Sequence, residues 1–367
     1  MNLYPKVAII YLSYNCKDDL PAAVEAWKKL TYPRASLRIV IVDNPHPQHG
    51  LSESCVRQLA LPLSGQELPE VVYLPQEKNI GFSAGNNVGI KWALEHGCDY
   101  VFLHNQDGFL TPGALEPLVN ALQNNPKLGA TQSLILLFPE IESVNTSGNR
   151  FHYLGFGYVQ DFQKPAEEIK KQKPEVSLIG YPSGAAVMLR ADLLKQYGLL
   201  NEALFLYHED LEYGLRLKTL GFDSAMIKAS VFYHRYAFSR NPGKFYWAER
   251  NRWAVLLMYY KWPTLILLLP MRLAVEIGLG FFAYRDGWLK EKFKAYGYWL
   301  NFKNWGGWFK ARQIAQKQRK MGDRALLKEV ATELVFDKPN WQSPVLKYIA
   351  NPILSAYGWL LKKIIFW

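Results

Sequence analysis

The sequence predicts an α/β fold with a mostly parallel central sheet, continued by a helical region rich in aromatic and basic residues. Three observations lead there. Short apolar runs alternate with helical stretches through roughly the first two-thirds of the chain, the pattern of β-α-β units. Several of these runs break off into polar residues, as Tyr100-Val-Phe-Leu-His-Asn-Gln-Asp107 does. The charge is also divided: residues 1–238 carry 21 Lys and Arg against 24 Asp and Glu, whereas residues 239–367 carry 22 against 8. The net charge of +11 therefore comes entirely from the last third, which also holds ten of the twelve tryptophans.

At 367 residues the chain exceeds one typical core, and the composition shift divides it into an α/β domain over 1–240 and a helical region over 241–367. Hydrophobic residues at 49% and charged ones at 20% exclude a disordered chain. Cys16, Cys55 and Cys98 are odd in number and lack metal spacing, which fits a reducing compartment better than a disulfide scaffold. The first residues show no charged segment leading into a signal-peptide core, so the expected starting point is the cytoplasm.

Lys6–Tyr14 reads as a buried strand, Asn15–Asp19 as a loop, and Leu20–Leu30 as a helix. Leu37–Asp43 is a second apolar strand ending in a carboxylate. Strand, helix, strand implies parallel pairing, which puts Asp43 at the same sheet edge as Ser13 and Tyr14, where a carboxylate can bond a ribose or base. Val71–Leu74 is a third strand. It leads into Glu77-Lys-Asn-Ile-Gly-Phe-Ser-Ala-Gly-Asn-Asn-Val-Gly-Ile90, read as a glycine-rich turn before a helix through Ile90–His96. Its glycines permit positive φ, close backbone approach or close helix packing, and amides at the helix start can hold phosphate oxygens. Next comes the strand that ends in Asn105-Gln-Asp107. Thr111-Pro112 behind it reads as an N-cap with proline at the first helical position. A carboxylate in that crevice either holds a divalent metal or does acid–base work.

Lys164–Glu175 reads as a charged, mobile loop, and Gly180–Arg190 as a turn feeding a strand. Leu211, Leu215 and Leu217 suit a helix with Glu209, Asp210 and Glu212 in its first turn, where acids also offset the helix dipole. Val231-Phe-Tyr-His234 closes the domain as a strand.

Taken in order, Ser13-Tyr14-Asn15, Asp43-Asn44, Asn79-Ile-Gly81 through Gly85, Asn86 and Gly89, Asn105-Gln-Asp107 and Glu209-Asp-Leu-Glu212 resemble a family-2 glycosyltransferase, in particular the rhamnosyltransferase-like branch. The resemblance covers about residues 5–255. It implies a GT-A nucleotide-binding fold and a nucleoside-diphosphate sugar donor, with dTDP- or UDP-sugars the expected ones. Ser13, Tyr14, Asn15, Asp43, Asn79, Gly81, Gly85, Asn86 and Asn105 are then expected to line the nucleotide site. The family's Asp-X-Asp element appears as Asn105-Gln-Asp107, so Asp107 is implied as a ligand to Mn²⁺ or Mg²⁺ and His234 as a further one. Asp210 is the implied catalytic base, with Glu209 its substitute. Phe245-Tyr-Trp-Ala-Glu-Arg-Asn-Arg252 is similar to a Tyr-X-X-Arg-Asn segment of the same branch, whose arginines either meet phosphate or decorate a helix surface. The sequence departs from the pattern at Asp43-Asn-Pro-His-Pro47, at His104 and at Glu212.

Beyond residue 251, Trp262–Tyr284 approaches the length of a membrane span but contains Pro270, Arg272 and Glu276. The expected form is a kinked helical hairpin at the membrane interface. Trp288, Trp299, Trp305 and Trp308, interleaved with lysines, suit headgroup contact with anionic lipid; the other reading is a helical appendage whose tryptophans form a small core. Together these readings give a peripheral enzyme on the inner face of the plasma membrane that acts on a lipid-linked or cell-surface glycan, with no nucleic-acid partner. The alternative is a non-catalytic module whose basic aromatic tail grips anionic lipid or nucleic acid. Nucleic-acid binding of that kind would fall steeply with salt.

Overall fold

The computed structural model describes residues 4–236, 243–335 and 344–367. In chain order the first unit contains β1 (Val7–Ser13), α1 (Leu20–Lys28), β2 (Leu37–Asp43), α2 (Glu53–Leu59), β3 (Glu70–Pro75), α3 (Gly81–Glu95), β4 (Tyr100–Asn105), β5 (Gly108–Leu110), α4 (Leu115–Asn124), β6 (Leu128–Leu137) and β7 (Val144–Thr146). A two-stranded hairpin, β8 (Asn149–Phe151) and β9 (Gly157–Val159), follows. Then come α5 (Ala166–Gln172), β10 (Val176–Ile179), β11 (Ala186–Arg190), α6 (Ala191–Tyr197), α7 (Glu209–Leu220) and β12 (Asp223–His234).

The main sheet runs β10-β12-β6-β11-β4-β1-β2-β3. Parallel pairing of β3-β2-β1-β4 and of β6 with β12, interrupted by antiparallel β11, makes the sheet mostly parallel. β1 is buried along its whole length, as expected of a strand covered on both faces. The parallel register places Ser13 opposite Asp43, and Leu12 opposite Asn105, so one sheet edge collects the polar strand ends.

Three local expectations are corrected. The glycine- and asparagine-rich stretch is the opening of α3 itself, not a turn before it: Gly81 has φ +85°, and a Cβ on Gly85 would stand 2.5 Å from Leu12 Cδ1, so the glycines let the helix lie close against β1. Thr111 does not cap a helix. Its hydroxyl donates to the Val231 carbonyl (3.1 Å), and α4 starts only at Leu115 after a turn. Residues 164–175 are not a loop, because Ala166 and Ile169 bury one side of α5.

The chain forms two compact units: Met1–Asn149 with Val159–Phe205 and Asp223–Tyr236, and Arg150–Tyr158 with Leu206–Phe222 and Ala237–Trp367. Helix α7 thus groups with the C-terminal helices, and the expected boundary at 240/241 lies outside the described residues. The second unit continues with α8 (Lys244–Tyr259), α9 (Trp262–Arg285), α10 (Leu289–Leu300), α11 (Trp305–Gln318), α12 (Asp323–Glu329) and α13 (Asn351–Ile364). Helix α9 is one continuous helix with Pro270 inside it, where a hairpin was expected. Trp288, Trp299 and Trp308 are buried, and the Trp299 ring packs against those of Trp253 and Trp308. These tryptophans form a core between α8, α10 and α11; the appendage reading describes them, and headgroup contact does not.

Candidate active site

One group of candidate site residues sits at the polar edge of the sheet, in the first unit. Asp43 is fully buried and its carboxylate is occupied from three sides. Ser13 Oγ donates to Oδ1 (2.7 Å), while the Ser52 amide (2.7 Å) and the Tyr73 hydroxyl (2.8 Å) donate to Oδ2. Burial raises the Asp43 carboxyl above its ordinary range, and the Ser13, Tyr73 and Ser52 hydrogen bonds draw it partly back. Ser13 and Asp43 were expected to touch a nucleotide. Both have zero exposure, and what they do is tie the end of β1 to the start of α2.

The start of α3 is likewise spoken for. The Ile80 amide donates to Asn44 Oδ1 (3.4 Å), the Gly81 amide to Asn79 Oδ1 (2.9 Å), and the Phe82 and Ser83 amides to the Phe205 carbonyl (2.7 and 3.3 Å). A phosphate at this helix start would have to displace these acceptors. Asn86 donates back to the Phe82 carbonyl (3.0 Å), and Asn87 exchanges hydrogen bonds with Leu200. Asn79, Gly81, Gly85 and Asn86 therefore position α3 and the 200–205 segment.

Tyr14 and Asn15 differ from these. Tyr14 is exposed, Asn15 has φ +59°, and the Tyr14 ring lies 4.9 Å from His46, which stacks on His49. Gln106, to which no role was given from sequence, holds this loop: the Tyr14 amide donates to its Oε1 (2.6 Å) and its Nε2 donates to the Tyr14 carbonyl (3.3 Å). The middle residue of Asn105-Gln-Asp107 thus ties the β1 loop to the end of β4. The Asn105 amide donates to the Ala185 carbonyl (3.0 Å). His104 is a buried neutral ring among Tyr11, Trp27 and Phe232, its pKa pushed down to about 4 chiefly by burial.

Asp107 and His234, far apart in sequence, are brought together by the β5–β12 pairing, which sets His234 opposite Gly108. His234 Nε2 is 3.0 Å from Asp107 Oδ1, and His234 Nδ1 is 2.9 Å from Asn145 Oδ1. Burial works to raise the Asp107 carboxyl, but the His234 hydrogen bond and charge outweigh it and hold the group below its ordinary range. Arg235 follows directly: its amide donates to the Asp107 carbonyl (2.8 Å) and its guanidinium to Asp19 Oδ1 (2.9 Å). The pair fits a divalent cation. Cis ligands about 2.1 Å from an octahedral ion stand about 3 Å apart, and Asn145 engages the other ring nitrogen as an outer partner of a ligating histidine does. Among the described residues no group of three or more His, Cys, Asp or Glu side chains is placed to hold a metal. Water and ligand oxygens would complete the shell.

The remaining expected site residues lie on α7, in the other unit, which is described by itself. The chain enters this helix through Tyr207 (φ +64°) and His208 (φ +71°), a backbone that non-glycine residues adopt at a cost of about 1–3 kcal/mol each. Asn251 secures it, donating from Nδ2 to the Leu206 (3.0 Å) and Tyr207 (2.7 Å) carbonyls, while the Arg250 guanidinium donates to Asn251 Oδ1 (2.6 and 2.8 Å). Arg250 and Arg252 are both buried, so the reading of this segment as helix-surface charge fails; Arg252 pairs with Glu249 and Glu276. Glu212 is buried in a two-pronged pair with Arg216 and accepts from the Tyr259 hydroxyl, a structural post that accounts for the departure at this position. Glu209 is buried, and burial, followed by the Asp210 charge, pushes its carboxyl well above its ordinary range. Asp210 is half-buried, its Oδ1 accepting from the Leu211 amide (2.7 Å).

Residues 8–198 match the family model described as Glycosyl transferase family 2. Over 194 residues, 48% of this chain and 63% of the relative, the chain is 26% identical to the N-acetylglucosaminyl-diphospho-decaprenol L-rhamnosyltransferase of Mycobacterium tuberculosis. It is 24% identical over 221 residues, 58% of this chain and 61% of the relative, to the low-salt glycan biosynthesis hexosyltransferase Agl10 of Haloferax volcanii. The chain thus spans a little over three-fifths of the length of these curated relatives. Among solved structures, GalNAc-T7 with UDP, GalNAc and Mn²⁺ superposes with a TM-score of 0.57 at 13% identity, covering 71% of this chain and 49% of that one. TarS of S. aureus gives 0.52 at 16% identity, covering 98% and 55%. At these identities the superpositions establish the fold, GT-A.

Proposed function

Because the chain belongs to glycosyltransferase family 2, we propose that it transfers a sugar, rhamnose or a related hexose, from a dTDP- or UDP-sugar to a hydroxyl of a lipid-linked or cell-surface glycan, with inversion and with Mn²⁺ or Mg²⁺. The observation that carries this reading is the Asp107–His234 pair at the end of β4, braced by Asn145. Two protein ligands are what a magnesium-like ion uses when a diphosphate supplies the remaining oxygens. When bound, the ion neutralises charge on the departing nucleoside diphosphate.

The residues divide the remaining work. Tyr14 offers an exposed ring beside His46, suited to stacking on a nucleobase, and Gln106 fixes its backbone. Asn15 and Asn105 flank that ring and Asp107 as further nucleotide contacts. Ser13, Asp43, Asn79, Gly81, Gly85 and Asn86 act from behind, by holding the loops and α3 in register. Asp210 takes the proton of the acceptor hydroxyl as the new bond forms. One base and one direct displacement invert the anomeric centre, so no second nucleophilic carboxylate is needed. The acceptor class draws support from the mycobacterial relative, whose name describes a diphospho-decaprenol substrate. The place of work is the inner face of the plasma membrane, in keeping with three unbridged cysteines.

A thermal-shift panel tests the reading: dTDP or UDP raises the melting temperature only when Mn²⁺ or Mg²⁺ is present, because ligand stabilisation grows with occupancy. Equal shifts with and without metal, or none with any nucleoside diphosphate, count against it. A second expectation concerns Asn251. Its replacement by Ala leaves two carbonyls unpaired, costing about 1–3 kcal/mol for each buried group, and releases the backbone that presents Asp210. Turnover then falls about 10- to 100-fold, the scale of a small misplacement of a catalytic group, while the metal-dependent nucleotide shift persists.

A further inference from the structure

Helix α9 is inverted relative to the usual soluble arrangement. Its polar side chains turn toward the rest of its unit, and its apolar stripe turns away. Thr264 Oγ1 donates to Asp323 Oδ2 (2.6 Å) and accepts from Trp367 Nε1 (2.9 Å). Glu276 accepts from Lys292 Nζ (2.6 Å), the Tyr296 hydroxyl (2.7 Å) and Arg252, and the Arg272 guanidinium lies 4.8 Å from the Trp253 ring. Lys292 and Arg252 are themselves almost wholly buried. Of the two charges that argued against a membrane role, Glu276 is neutralised by Arg252 of α8 and Lys292 of α10, and Arg272 is covered by the Trp253 ring of α8.

On the other side, Ile266, Leu269, Leu273, Ile277, Phe281 and Tyr284 recur every three or four residues, and each is 48–78% exposed. Among the described residues α9 is the one helix long and apolar enough to cross a membrane, and little of its apolar stretch is buried within the protein. Contiguous apolar surface on this scale marks an interaction site. Helix α13 and the helical turn before it (Leu346–Ala350) extend the face: the Tyr357 hydroxyl donates to the Leu267 carbonyl (2.5 Å), and the exposed rings of Tyr348 and Trp359 each carry a lysine ammonium, Lys347 at 5.2 Å and Lys363 at 5.6 Å.

We propose that this stripe, with α13 beside it, is embedded in one leaflet of a membrane containing anionic lipid, the α9 axis lying in the membrane plane. The excess of 22 basic over 8 acidic residues in 239–367 selects an anionic surface. The in-plane orientation follows from the opposite face, whose buried ion pairs a spanning helix would have to abandon. The inference goes beyond the transfer reaction and does not depend on it.

Flotation of the purified full chain with vesicles tests it. Vesicles of phosphatidylglycerol and phosphatidylcholine carry the protein upward, and vesicles of phosphatidylcholine alone carry much less. Ile277→Glu/Phe281→Glu lowers recovery about tenfold or more, since each carboxylate would have to approach hydrocarbon. Its melting temperature stays close to that of the parent, because the replaced groups are exposed. Lys362→Glu/Lys363→Glu, which leaves the stripe intact, lowers recovery on anionic vesicles only. The proposal is overturned if the Ile277/Phe281 variant floats like the parent, if lipid charge makes no difference, or if the parent does not float and sediments as a dimer that the same substitutions dissociate.

Discussion

Asp210→Asn removes sugar transfer, by about 10²- to 10⁴-fold, the usual worth of a positioned general base, and leaves metal-dependent nucleotide binding in place. The neighbouring acid behaves otherwise. Burial, followed by the Asp210 charge, pushes the Glu209 carboxyl well above its ordinary range, which favours its protonated form over the carboxylate a base must be. Glu209→Gln mimics that neutral state in shape and charge, so most turnover survives it. Comparing the two amide variants in one transfer assay decides between the acids. Full activity in Asp210→Asn, or loss in Glu209→Gln alone, would move the base to Glu209.

Asp107→Ala abolishes the stabilisation that a nucleoside diphosphate gives in the presence of Mn²⁺ or Mg²⁺. At a ligand concentration near 100 Kd that stabilisation is worth about 2.7 kcal/mol, so the loss is well outside the error of a thermal melt. The reason is the economy of the proposed site: it draws on Asp107 and His234 among the described residues, so removing the carboxylate leaves a single imidazole. His234 stays anchored to Asn145 in the variant, so the fold around it persists.

Much of this architecture was legible in the sequence because buried parallel strands are written as unbroken apolar runs. Val7–Ser13, Leu37–Asp43 and Tyr100–Asn105 could be read directly, and with them the edge that carries Asp107. The glycine-rich stretch was misjudged as a turn because glycine disfavours helix in isolation; close packing of Gly85 on Leu12 reverses that preference. Thr111 was misassigned because its hydroxyl is consumed by a carbonyl 120 residues away. The clamp formed by Asn251 was invisible for a like reason, since nothing local reveals that its amide meets Leu206 and Tyr207. In the tail, periodicity showed both an apolar stripe and interrupting charges on α9. Only packing against α8 and α10 reveals which side faces inward.

The most direct measurement is calorimetric titration of dTDP and UDP, with and without Mn²⁺, into the parent chain, Asp107→Ala and Asp210→Asn. The parent and Asp210→Asn should bind one of the two nucleotides only with the metal, and Asp107→Ala should bind neither. Metal-independent binding of equal affinity in all three would contradict the assignment of Asp107.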